Sequence, residues 1–294
     1  MKREINAFLD YLKKERGFSD NTISAYQNDL IQLAEFLENE AKGPTPQWAK
    51  ADQHLFLKYI SELQHRGYAP ATIARKVSAT KSLFKFLASK GEVTKVPAVL
   101  LGSPEVRKNS PQSIPMEDVE ELLRQPEKSS TPEAGRDKAM LELLYDTGMR
   151  VSEVIALNTE DVNFKKSCIR CHGAGSKRRS IELSPQVTRY LRHYVEEVRP
   201  QLARSNHKDP ALFLNRLGQR LTRQGLWQIL KNYAKAADIA GPISPRALRH
   251  TAAFHMLDKG QDLHKVQKQL GHASISTTQV YSQTESEESQ VGAR

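Results

Sequence analysis

The sequence predicts a mainly α protein in two domains, the second carrying a small antiparallel β-sheet. Three observations lead there. Apolar residues recur at i, i+3, i+4 and i+7 through most of the chain, the spacing of one buried helix face. Between Glu92 and Pro115 that periodicity lapses while prolines collect at 97, 104, 111 and 115, the composition of an inter-domain linker. From Asn163 to Leu183 the character changes to that of a β-hairpin, with Cys168-Ile169-Arg170-Cys171, a Gly173-Ala174-Gly175 turn, and Ser180-Ile181-Glu182-Leu183. A length of 294 residues is enough for two cores. The boundaries follow as a first domain over residues 1–100, a linker over 101–115 and a second domain over 116–294.

The first domain reads as four helices. Ile5, Phe8, Leu9 and Leu12 form the first stripe. Ser19-Asp20-Asn21 caps a second helix, striped by Ile23, Tyr26, Leu30, Leu33, Phe36 and Leu37. Gly43-Pro44-Thr45-Pro46 breaks the pattern. Asp52 caps a third helix through Phe56, Tyr59, Ile60 and Leu63, ended by Gly67. Pro70 opens a fourth, with Ile73, Val77, Leu83 and Phe86 inside and Gly91 at its end. Its polar side is assigned Arg75, Lys76, Lys81, Lys85 and Lys90. No acidic residue occurs between Ala69 and Lys90, so this face is either a solvated surface or one that meets phosphate.

In the second domain helices are predicted over Met116–Arg124, Gly135–Tyr145 and Val151–Leu157, with Thr147-Gly148 as the interruption. After the hairpin come a helix over Pro185–Val198, a buried extended piece at Ala211-Leu212-Phe213-Leu214, and a helix over Thr222–Ala237 with Leu226, Ile229, Leu230 and Tyr233 inward. Ser244 caps and Pro245 opens another helix. Its apolar stripe is Leu248, Ala252, His255 and Met256, where His255 reads as a core histidine. Arg246, Arg249 and His250 share a second face. Cations near a helix N-terminus gain nothing from the macrodipole, so this face calls for an anionic partner. After Tyr281 the thirteen remaining residues are acidic and serine-rich.

A formal charge of +10 suits a nucleic-acid partner. No apolar run approaches the roughly 20 residues of a membrane span, and no signal-peptide core opens the chain, so a cytoplasmic place is expected. Cys168 and Cys171 have CxxC spacing but no second pair. Three apart on a strand they point to opposite faces, which makes them ordinary thiols and not a metal site. There is no P-loop, no GxGxxG after a strand, no HExxH and no paired-Asp nuclease arrangement, and no cofactor is predicted. Phosphate chemistry here would rest on arginines, whose forks donate to two oxygens without deprotonating, and on a side-chain nucleophile, a role tyrosine can fill.

Thr147-Gly148-Met149-Arg150-Val151-Ser152-Glu153, followed downstream by Arg249-His250, Leu270-Gly271-His272 and Tyr281, resembles the tyrosine recombinases, or phage-type integrases, most closely their Xer branch. The likeness covers nearly the whole chain. It implies an all-α N-terminal core-binding domain of the SAM-like type and a mainly helical catalytic domain that close on duplex DNA. It implies site-specific strand exchange through a Holliday junction, by four copies on two sites or with a paired recombinase, without metal or cofactor, at the nucleoid. By the same resemblance Arg150 and Arg249 hold the scissile phosphate, Glu153 supports them, His272 hydrogen-bonds the phosphate, His250 is supporting, and Tyr281 is the nucleophile. Arg75, Lys76, Lys81 and Lys85 become candidate DNA contacts.

Two positions depart from the family pattern. Relatives carry lysine in the hairpin as general acid where this chain has Ala174, leaving Lys177 as the substitute. Arg246 stands where His is commoner. The alternative is therefore a catalytically impaired DNA-binding relative that occupies sites or assists an active partner. A helix-turn-helix regulator over Asp262–Tyr281 is a further rival that leaves Arg150 and the hairpin unexplained.

Overall fold

The computed structural model describes residues 1–40, 48–94, 96–97, 113–172, 178–203, 209–241 and 243–271. The chain divides into two compact units, Met1–Lys108 and Asn109–Arg294.

The first unit is built from α1 (Lys2–Lys14), α2 (Asp20–Glu40), α3 (Gln53–His65) and α4 (Pro70–Ser89), with one short turn at Trp48–Lys50. The local signals behave as their chemistry requires. The Thr22 amide donates to Ser19 Oγ (3.3 Å), and the Leu55 amide to Asp52 Oδ1 (2.9 Å). Ile5, Phe8, Leu9 and Leu12 are buried, and Phe56 and Trp48 both pack edge-on to Phe84 at 5.2 and 5.8 Å. The Gly43–Pro46 break lies outside the described residues.

The polar side assigned to α4 needs correction at Lys76. Residues 73, 76, 77, 80, 83, 84 and 87 form one stripe at helical spacing, and all are buried. Lys76 therefore points inward, where its ammonium donates to Asp29 Oδ1 (2.9 Å) and Gln32 Oε1 (2.6 Å) and lies over the Tyr68 ring. Asp29 is buried and also binds Arg75, whose guanidinium remains partly exposed. A charge at this depth survives because it is paired with a carboxylate and hydrogen-bonded. Lys85 is on the exposed side.

The second unit is organised around α6 (Pro132–Thr147), capped by Thr131 and buried on nearly every side. It begins three residues earlier than the apolar pattern indicated, because Pro132 supplies the N1 position. Before it lies α5 (Met116–Arg124), and after it α7 (Val151–Ala156). Then comes a three-stranded antiparallel sheet, β1 (Val162–Asn163), β2 (Cys168–His172) and β3 (Arg178–Glu182), in the order β1-β2-β3. Its register pairs Ile169 with Ile181 and Cys171 with Arg179. The helix expected over Pro185–Val198 is α8 (Pro185–His193) followed by a wide π turn at Tyr194–Val198, running on into α9 (Arg199–Leu202). Tyr194 is fully buried there and its hydroxyl donates to Leu212 O (3.0 Å). Ala211–Leu214 is extended and buried, with bridges from Asn158 to Ala211 and from Leu214 to Arg220. The remaining helices are α10 (Arg223–Ala236), α11 (Pro245–Asp258) and α12 (Leu263–Leu270). Along α11 the predicted stripe is buried, and His255 Nδ1 lies 2.8 Å from Tyr145 Oη, a satisfied core histidine. Among the described residues no helix is long and apolar enough to cross a membrane.

Candidate phosphate-binding site

Three helix ends meet beside the sheet. α6 stops at Gly148, whose φ of +58° is left-handed, so the chain turns sharply into Arg150. Arg150 is the N-cap of α7. Its own amide donates to Glu153 Oε2 (2.8 Å), which supplies the reaching-back half of a capping box. α11 starts under the Ser244 cap, where the Ala247 amide donates to Ser244 Oγ (3.1 Å), and one turn later presents Arg249. α12 is capped by Asp262, whose Oδ1 accepts from the His264 and Lys265 amides at 2.9 and 3.0 Å, and it ends at Gly271 with φ +65°.

The arginines converge on the end of α12. Arg249 donates through Nη1 to Gly148 O (2.6 Å) and through Nη2 to Leu270 O (2.8 Å). Arg150 donates to the same Leu270 O (3.4 Å), to Gly271 O (3.3 Å) and to Glu153 Oε1 (3.2 Å). The last carbonyls of a helix have no partner within it and carry the negative end of its dipole, so they attract guanidinium groups. The Arg150 side chain is 45% exposed, which leaves much of its fork facing solvent. Arg246 donates from Nε to His250 Nε2 (3.2 Å). Burial, with the charges of Arg246 and Arg249, holds the His250 pKa below the usual histidine value.

Glu153 is the buried acid of the group. Burial pushes its pKa up. The hydrogen bonds from Arg179 and the Arg150 amide, with the two guanidinium charges, outweigh that and leave it below the carboxylate norm. Burial pushes the neighbouring Cys171 thiol up to about 12, with Glu153 adding to the rise, so this cysteine is an inert packing residue. Both cysteines are free thiols. Among the described residues no group of three or more His, Cys, Asp or Glu could hold a metal ion.

Sequence reasoning assigned no role to Arg179. It grips both Glu153 oxygens, Nη1 to Oε1 (2.8 Å) and Nη2 to Oε2 (3.0 Å), and its Nε donates to Gln269 O (2.9 Å). The signal was there: residue 179 is two before the buried Ile181 on β3, so it shares the inward face. A cation on the inward face of a strand requires a buried anion. The structure thus brings Arg150, Glu153 and Arg249 together, adds Arg179, and sets the Arg246–His250 pair on the neighbouring stretch of α11. His272, Tyr281, Lys177 and Ala174 lie outside the described residues, with Gly271 immediately before His272.

A profile of the phage integrase family matches residues 112–288, and one of the phage integrase N-terminal SAM-like domain matches residues 5–91. The chain belongs to the phage integrase family. It is 44% identical to tyrosine recombinase XerC of Herpetosiphon aurantiacus over 96% of this chain and 90% of that protein. It is 40% identical to tyrosine recombinase XerD of Oceanobacillus iheyensis, over 94% and 92% respectively. The fold is that of the XerH site-specific recombinase bound to its palindromic difH substrate (TM-score 0.78, 22% identity, 98% of this chain and 84% of that one). The lambda integrase tetramer bound to a Holliday junction shares it too (TM-score 0.74, 13% identity, 95% and 76%).

Proposed function

We propose that this protein is a tyrosine-type site-specific DNA recombinase that cuts and rejoins duplex DNA through a 3′-phosphotyrosyl intermediate. The observation that carries this is the convergence of Arg150 and Arg249, far apart in the chain, on the single carbonyl Leu270 O, immediately ahead of Gly271-His272. Two forks that reach one oxygen can reach one phosphate, and cationic donors of that kind replace a metal in stabilising the charge of phosphoryl transfer.

In this mechanism Tyr281 Oη attacks phosphorus and loses its proton. The bond from phosphorus to the 5′ oxygen breaks as the tyrosyl–phosphate bond forms, and the 5′ oxygen leaves as a hydroxyl after protonation. Arg150 and Arg249 take the non-bridging oxygens, with His272 and Arg246 as further donors. With Ala174 at the usual hairpin position, Lys177 delivers the proton to the leaving group. The second half is the reverse reaction with a 5′-hydroxyl from the other duplex. The phosphodiester energy stays in the covalent link, so the scheme uses no nucleotide cofactor. Strand exchange requires four copies on two sites, or this chain with a paired recombinase, passing through a Holliday junction. Residues 1–100 clamp the duplex, 101–115 link and 116–294 catalyse, and the protein works in the cytoplasm at the nucleoid.

The test is a duplex selected for binding from a random pool and nicked near the cut, so that the released fragment diffuses away. Wild type accumulates a covalent protein–DNA adduct and Tyr281→Phe gives none. No adduct from wild type, or an equal amount from Tyr281→Phe, refutes the proposal.

A further inference from the structure

The Glu153 carboxylate accepts four hydrogen bonds, two on each oxygen, which is about the capacity of a carboxylate. Arg179 supplies one bond to each oxygen, and Arg150 supplies the others through its Nη1 and its backbone amide. Arg179 is 15% exposed and Glu153 is 5% exposed, whereas Arg150 is largely open. Arg179 also tethers the last turn of α12 through Gln269 O, and its guanidinium packs on Gly271, where a Cβ would lie 2.9 Å from Nη1. One largely covered side chain, on the strand that leads back to Lys177, thus touches the acid behind Arg150 and the turn before His272.

We infer that Arg179 is the positioning residue of the phosphate site, neutralising Glu153 so that the charge of Arg150 is kept for the phosphate, and pinning the α12 end ahead of His272. This deepens the recombinase proposal and rests on it. The charge count gives the reason. With Arg179 present, Glu153 has a buried cation of its own and Arg150 leans on it with a single 3.2 Å side-chain bond. Without Arg179, Glu153 is a buried carboxylate whose one charged neighbour is Arg150. A paired geometry is then strongly favoured over an unpaired buried charge, and Arg150 turns its fork onto Glu153 and away from the phosphate. Arg179 itself touches no substrate.

The measurement is single-turnover cleavage of the nicked duplex, alongside DNA affinity by mobility shift. Arg179→Ala should slow cleavage by about 100-fold, the scale of a misplaced reacting group, while affinity changes by less than about threefold because other phosphate contacts carry binding. Arg179→Lys keeps the cation and should lose less than about tenfold. The decisive variant is the double change Arg179→Ala with Glu153→Gln. Removing the acid frees Arg150, so the double variant should cleave faster than Arg179→Ala alone. A residue that only braced the fold would leave the double variant slower, and that result overturns the inference. Wild-type cleavage in Arg179→Ala does the same. Should the alanine variant unfold, Arg179→Met keeps the stem packed on Gly271 and is read against its own Glu153→Gln double in the same way. A wild type that forms no adduct sinks the recombinase proposal and this inference together, whereas adduct from wild type and an unaffected Arg179 variant sinks this one alone.

Discussion

Gly148→Ala tests the joint that holds Arg249 and the end of α12. The backbone there has φ +58°, a left-handed conformation that costs an L-residue about 1–2 kcal/mol. A Cβ built on Gly148 lies 2.6 Å from Leu270 Cδ2, far inside van der Waals contact, and Leu270 is fully buried. Overpacking of this kind costs about 1–3 kcal/mol. The two add to roughly 3 kcal/mol. For a unit of this size that lowers the melting temperature by about 6–12 °C. Calorimetry on Gly148→Ala, Leu270→Ala and the double variant separates the two contributions. Leu270→Ala alone opens a cavity and costs about 2–5 kcal/mol. In the double variant the new methyl has room, so the losses should fall short of additivity by about 1–2 kcal/mol. Full additivity, or a Gly148→Ala melting point within about 2 °C of wild type, refutes the packing argument.

Three further outcomes follow from the same structure. Lys76→Ala leaves Asp29 buried with only Arg75, so the first unit should lose about 3–5 kcal/mol in urea unfolding. The salt slope of DNA binding should stay unchanged in that variant, provided binding is measured where it remains folded. Lys85→Ala should do the opposite, leaving stability alone and reducing the slope of log affinity against log salt by about one. Lys177→Ala should slow cleavage on the scale of about 10²-fold or more for a general acid, read in single-turnover assays. Ala174→Lys, which adds a second acid beside a working one, should change the rate little. A large gain from Ala174→Lys with no loss in Lys177→Ala refutes the role given to Lys177. The pKa of His255 is lowered by burial first and then by Lys259, and that of His250 by burial, Arg246 and Arg249. Both are held neutral in the fold, so the unfolded chain takes up protons first as pH falls through the ordinary value of 6.5. Stability should therefore decline below that pH. His255→Asn should lessen the loss between pH 7.5 and 5.5 in urea titrations, the two pH values being set about one unit either side of the histidine norm.

The elements were legible because their signals are local. The Ser19, Asp52 and Ser244 caps each satisfy an amide three residues on, and glycines 67, 91, 148 and 271 all take positive φ at helix ends. The site was legible in part, since Arg150 and Arg249 are brought to one carbonyl. What the sequence hid is non-local. Nothing near Arg179 announces that Glu153 and Gln269 are its partners, because strand register and helix packing join them. Lys76 is a different failure. Its place on the apolar stripe was readable from spacing, but the absence of nearby acids drew attention to charge, and the acid it needed was Asp29 on another helix.

The cationic face of α11 sharpens the point about what pattern alone can decide. Two guanidinium charges near a helix N-terminus, with a histidine beside them, require something negative, and that much follows from the dipole alone. In the structure Arg249 donates to the carbonyl end of α12 and to Gly148 O, while Arg246 donates to His250. A helix end carries only about half an elementary charge. Arg150 and Arg249 together carry two, and Glu153 is already shared with Arg179. An entering phosphate competes with the carbonyls of Gly148, Leu270 and Gly271 and, at Arg150, with one 3.2 Å bond to a Glu153 already held by Arg179, and exchanging Leu270 O for a charged oxygen is downhill for both arginines.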